Sequence, residues 1–243
     1  PALLVKLLAE TGNDADQLPL LQHLLMRLWD NAKAKAGNVE AEAPEPRLDI
    51  KLTDYQDDEK IQTLKIALST HADEAYKELS NTQKKVAQQI FCRLTGAETG
   101  KADTRNPTQI CELMDLTGLD LEQIVAVLQV FLQAGRSFLI AATSAGKAST
   151  PNGAELTPDT IIDITHESLI RNWVRLEQWA KEEAESAAIY RRLEDNALLH
   201  QQGHYGFYRT PELENALDWQ QKNQPTENWA KRYGQNFTQA MAF

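Results

Sequence analysis

This sequence predicts a mainly α-helical fold carrying one small β-hairpin, on three observations. Apolar residues recur three and four positions apart over most of the chain, residues suited to capping stand where those stripes begin, and only two short runs read as strands. Of the 243 residues, 42% are hydrophobic, 7% aromatic and 25% charged. That is the composition of an ordinary globular chain, long enough to bury a core without disulfides or metals.

Residues 1–37 read as two helices. Leu3, Leu4, Leu7 and Leu8 form one stripe, and Leu20, Leu21, Leu24, Leu25 and Leu28 form the next after a polar break. Pro19 suits the first turn of the second helix, where its missing N–H is no loss. Residues 38–60 form an acidic, Pro-containing linker with eight acidic against three basic side chains. Residues 61–79 form a connecting helix packed through Leu64, Leu68, Ala72, Ala75 and Leu79.

Within residues 80–165, Ser80 caps a helix carrying Val86, Ile90 and Leu94, with Ala87 and Phe91 beside them. A Gly-containing loop, Gly96–Asp103, leads to an extended segment at Thr104–Pro107. Thr108 is expected to cap a short helix holding Ile110, Leu113 and Met114, which Gly118 breaks. Asp120 caps a third helix whose stripe runs from Leu121 through Ile124, Val125, Leu128, Phe131 and Leu132 to a stop at Gly135. Ser137–Ala142 and Thr160–Ile164 then read as the strands of a long-tipped hairpin. Helix, short helix, helix and hairpin is the order of a winged-helix domain. Residues 166–243 form a C-terminal helical arm, with a loop at Gly203 and Gly206. Pro211 opens a helix with Leu213, Leu217 and Trp219, and Pro225 precedes a last amphipathic segment holding Trp229, Tyr233, Phe237 and Met241.

Several function classes are excluded or disfavoured. No run of about 18 apolar residues occurs, so no helical membrane span is expected. The two cysteines, Cys92 and Cys111, are too few for a disulfide framework or a four-ligand zinc site and read as buried reduced thiols, which points to the cytoplasm. The formal net charge of −10 disfavours non-specific binding to nucleic acid or anionic membranes. The Gly96–Ala102 stretch spaces its glycines too closely for a phosphate loop and has Ala102 in place of the hydroxyl. His200 and His204 lie four apart with Gly203 between them and without an HExxH pattern, so no metal site is expected. No nucleophile motif or carboxylate pair stands out, and no catalytic residue is expected.

Two features of the 80–165 region bear on function. The third helix, Asp120 to Ala134, contains no Lys or Arg, so a duplex phosphate backbone would be repelled and the winged helix reads as a protein-packing module. The junction Ile164-Thr165-His166-Glu167-Ser168-Leu169 follows the second hairpin strand. An imidazole there can donate to an anion over the hairpin; equally, the position can serve as a helix cap through Thr165 or satisfy a buried carbonyl.

Three segments together resemble the STAND class of AAA-like signalling NTPases, closest to the novel STAND NTPases of bacteria that often carry WD-type repeats after the ATPase. They are Gln17-Leu18-Pro19-Leu20-Leu21-Gln22-His23-Leu24-Leu25-Met26-Arg27-Leu28-Trp29, the His166-Glu167-Ser168-Leu169 stretch read with Trp173 and Trp179, and Gly203 to Arg209 leading to Ala216-Leu217-Asp218-Trp219. The resemblance implies that Pro19 lies on a helical lid against adenine and that His166 senses ADP. It further implies a regulatory region that relays nucleotide state between an ATPase core and a C-terminal repeat or sensor region, with oligomer formation on activation. The phosphate loop and core sheet are missing from these residues, and the sequence starts at Pro1 without an initiator Met or signal peptide. The chain therefore reads as a fragment that holds no cofactor itself and is not an enzyme; ADP or ATP with magnesium belongs to the parent. A winged-helix DNA-binding regulator is the alternative.

Overall fold

The computed structural model describes residues 2–11, 17–36, 63–96, 104–133, 135–136, 138–142, 148–149 and 156–243. The acidic linker, 38–60, lies outside the described residues, as does most of the Gly96–Ala102 loop. The fold is mainly helical with a small antiparallel sheet.

Helices α1 (Ala2–Thr11) and α2 (Gln17–Ala36) pack together, and α2 lies along α3 (Leu64–Lys77). Leu20, Leu24 and Leu28 are buried on α2, and Leu64, Leu68, Ala72 and Ala75 on α3, the stripes that the spacing predicts. The first stripe is only half used: Leu7 is buried, while Leu4 and Leu8 stay exposed. Helix α4 (Asn81–Arg93) opens with a reciprocal capping box between Ser80 and Gln83, and α6 (Leu121–Leu132) with one between Asp120 and Gln123. Each box satisfies backbone N–H groups that have no partner within the helix. Between them, α5 (Ile110–Thr117) ends at Gly118, whose φ of 70° is left-handed and suits a residue without a Cβ.

Thr108 does not cap α5. It lies in a short strand, β1 (Thr108–Gln109), and its hydroxyl donates to the Asn106 carbonyl at 2.9 Å, so the cap position falls to Gln109. The extended segment expected at Thr104–Pro107 pairs through an antiparallel bridge of Arg105 with Thr95, and β1 follows it directly. Strands β2 (Leu139–Ala142) and β4 (Ile161–Ile164) form the expected hairpin, with Leu139 opposite Ile164 and Ala141 opposite Ile162. β1 extends the sheet along β4, and β3 (Ala148–Ser149) extends it along β2, giving the order β1-β4-β2-β3. Leu139, Ala141, Ile162 and Ile164 face inward and are buried, whereas Ile140 and Asp163 lie on the other face.

The chain leaves β4 through α7 (Glu167–Asn172), breaks at Trp173, and continues as the 28-residue α8 (Val174–Gln201). Trp173 is fully buried among Phe91, Phe131 and Trp179, and its indole N–H donates to Asp73 Oδ1 at 2.9 Å. That contact on α3 fixes the bend, because the extended backbone of Trp173 turns the following helix onto α3 and α4.

α8 serves two hydrophobic cores. Leu176 and Trp179 complete the first, which takes in α1 to α7 and the sheet; Ala187, Tyr190 and Leu193 build the second against α9 (Glu212–Asn223), α10 (Glu227–Ala230) and α11 (Phe237–Ala242). On α9 the buried residue is Trp219, whose indole donates to Ser186 at 2.8 Å; Leu213 and Leu217, expected to share its face, are exposed. The last amphipathic segment is two helices, not one. Glu194, buried on α8, accepts the backbone N–H groups of Gln235 and Asn236, and a Cβ on Gly234 would collide with its carboxylate. A helix could not free both N–H groups for that acceptor.

Candidate functional site

β4 and α7 meet at residues 164–167, and the register of β4 decides what appears there. Alternation buries Ile162 and Ile164 and turns Asp163 to the opposite face, within reach of Arg105 from the segment before β1. The Arg105 guanidinium spans the junction. Nη1 donates to Asp163 Oδ2 at 2.8 Å and to the Ile164 carbonyl at 3.3 Å, and Nε donates to Glu167 Oε1 at 2.9 Å.

The electrostatics follow from those bonds. The hydrogen bond to Glu167, reinforced by both carboxylates, outweighs partial burial and holds Arg105 more firmly protonated than usual. The same bond keeps Glu167 below the ordinary carboxylate range. Asp163 moves the other way, because burial outweighs the attraction of Arg105. Its second oxygen, Oδ1, is buried without a hydrogen-bond partner among the described residues.

His166 stands between these two acids at the cap of α7. Its side chain is exposed and makes no capping bond, while its carbonyl accepts the Leu169 N–H at 3.0 Å. The imidazole therefore neither caps the helix nor satisfies a buried carbonyl. Pro19 lies in the first turn of α2, half-buried, beside exposed Leu18. α2 also touches α7, the helix that His166 precedes.

Sequence reasoning missed Arg105. The acids flanking His166 are visible in the sequence, but their partner is 58 and 62 residues away and only strand pairing brings it in. It also missed a buried pair, His23 on α2 and His71 on α3. Nδ1 of His71 lies 3.0 Å from Nε2 of His23, and Phe138 packs on both rings. Burial, reinforced by the charge of Arg27, lowers His23 to about 4 and His71 to about 3. The only available signal was that each histidine falls in phase with its helix's leucine stripe.

The remaining candidates have structural positions. Cys92 is buried, and burial pushes its thiol well up; Cys111 is half-buried. His200 ends α8, with Nδ1 2.8 Å from the Tyr205 carbonyl and its ring against Phe207. Among the described residues no helix is long and apolar enough to cross a membrane.

The chain is mainly helical, with the exposed His166 at the junction of a small sheet and a helix, and its sequence matches a defined family. Over residues 1–205 the chain matches the family described as Novel STAND NTPase 1, and it belongs to that family. The match takes in α1 to α8 and the sheet, and α9 to α11 lie past it. No match is found among curated proteins or among solved structures.

Proposed function

We propose that this chain is the regulatory region of a STAND-type signalling ATPase, relaying nucleotide state between the ATPase core of its parent and a C-terminal sensor or repeat region. The observation that carries the reading is His166: an exposed imidazole, free of bonds to the described residues, held at a junction that Arg105 braces on both sides. Bracing holds the backbone that carries the imidazole and leaves the ring unoccupied, which suits an anion sensor.

The α4–α5–α6–hairpin unit serves as the winged helix in this reading. α6 has no basic residue, and its exposed positions include Glu122, Gln123 and Gln129, which suits a protein neighbour over DNA. α1 and α2 form the lid remnant. Leu4, Val5, Leu8, Leu18, Leu25 and Trp29 are exposed there, an apolar surface fit to pack on the parent's ATPase core.

ADP or ATP with magnesium is the parent's ligand. Pro19 and His166 suit such a ligand as a ring contact and a phosphate donor, while the amide cradle and lysine that dominate phosphate binding belong to the core. The fragment alone is therefore not an enzyme. In the ADP state the two contacts hold lid and winged helix closed, and losing them favours the open state.

A charge-assisted hydrogen bond contributes about 1.5–3 kcal/mol, so losing it shifts the closed–open equilibrium on the order of ten- to a hundredfold. In the full-length parent, His166→Ala is expected to raise basal activity, read as nucleotide-independent oligomer by size-exclusion chromatography. An unchanged oligomer fraction would overturn the sensor role. Tight, salt-sensitive binding of the chain to random duplex DNA in a mobility-shift assay would favour a DNA-binding regulator instead.

A further inference from the structure

A cleft of about 460 Å³ opens where the two cores meet, away from His166. One wall is α4, and the other is the α9–α10 connection with α10 itself. Its size is in the range of small-molecule sites, roughly 300–1,000 Å³.

The charge in the cleft is opposite to that of the chain. Lys85 comes from α4, Lys222 from the end of α9 and Arg232 from beyond α10, against a single acid, Glu183. Glu183 is already engaged, since one oxygen accepts from Arg232 at 3.0 Å, Trp229 at 2.8 Å and the Tyr233 hydroxyl at 2.5 Å. Lys85 and Lys222 have no carboxylate partner among the described residues. In a chain of net charge −10, two lysines facing one cleft without acids to balance them form a local reversal of sign.

The polar lining adds donors and shape. Gln88 and Gln224 contribute carboxamides from opposite walls, and Trp229 contributes an aromatic edge. Gln224 holds a left-handed φ of 44° at the end of α9, and its backbone N–H closes that helix onto Gln220. This turn sets the position of the second wall.

From this arrangement we infer that the cleft between α4 and the α9–α10 turn binds a small organic polyanion, phosphorylated or polycarboxylate, bridged by Lys85 and Lys222. A ligand held by both lysines ties the second core to the first, so the site couples a soluble anion to the position of the C-terminal layer. Most of the second wall lies past the 1–205 family match. The site is independent of the reading of His166.

Calorimetric titration of the chain with sodium pyrophosphate, and separately with sodium citrate, at pH 7.5 and fixed ionic strength tests the inference. At least one anion is expected to bind with a Kd below about 1 mM, and the double variant Lys85→Gln/Lys222→Gln to weaken it tenfold or more. Both lysines are exposed, so the variant is expected to keep the thermal midpoint of the parent chain, which the same samples report. Binding of pyrophosphate alone assigns a phosphate ester, and of citrate alone a polycarboxylate. The control Lys65→Gln/Lys77→Gln removes the same charge from exposed positions on α3. Loss of affinity equal to that of the double variant, or no binding of either anion, overturns the site.

Discussion

Acid should loosen the contact between α2 and α3 before it titrates most carboxylates, because of the His23–His71 pair. In the unfolded chain each imidazole protonates near its ordinary value of 6.5; in the folded chain His23 stays neutral down to about 4 and His71 down to about 3. The folded values are depressed, so the stabilisation is fully present above pH 6.5 and is lost as pH falls, because the unfolded chain binds the protons first. Between pH 7 and pH 5 each histidine removes about 1.9 kcal/mol by this linkage, about 3.7 kcal/mol for the pair. For a domain of this size that lowers the melting temperature by roughly 7–14 °C. Thermal unfolding followed by circular dichroism at half-unit pH steps measures it. The double variant His23→Leu/His71→Phe keeps the volume and removes the protons, so its midpoint should fall far less over the same interval. An equal fall in both proteins would refute the assignment, since the acid sensitivity would then come from other groups.

Two further outcomes concern α8. Gly234→Ala should destabilise by about 1–3 kcal/mol in denaturant titration through its collision with Glu194, while Gly206→Ala, which meets nothing within 4 Å, should change stability far less. Trp173→Ala should cost about 3–5 kcal/mol, because it empties a fully buried site and removes one of the donors to Asp73; a loss under 1 kcal/mol in the same titration would show that the bend does not depend on the indole.

What could be read from the sequence was whatever is local. Ser80 and Asp120 announce their helices because a cap acts within three residues, and the leucine stripes of α2 and α3 announce buried faces because 3.6-residue periodicity is carried by the chain itself. Arg105 and the His23–His71 contact were not legible, since their partners are 48 to 62 residues distant and only tertiary packing selects them. Leu213 and Leu217 misled for a related reason. Their spacing is correct for a buried face, but the bond from Trp219 to Ser186 turns α9 so that another face is inward. The last segment divided because Glu194, 41 residues before Gln235, claims its backbone.

α8 has a mechanical consequence. A helix of 28 residues is about 42 Å long, and it is continuous between a fixed end at Trp173 and the layer that Glu183 and Glu194 fasten to it. Such a rod is a lever with its fulcrum at the indole. By that geometry a tilt of about 10° there would carry the far end through roughly 7 Å, a stroke longer than a helical turn.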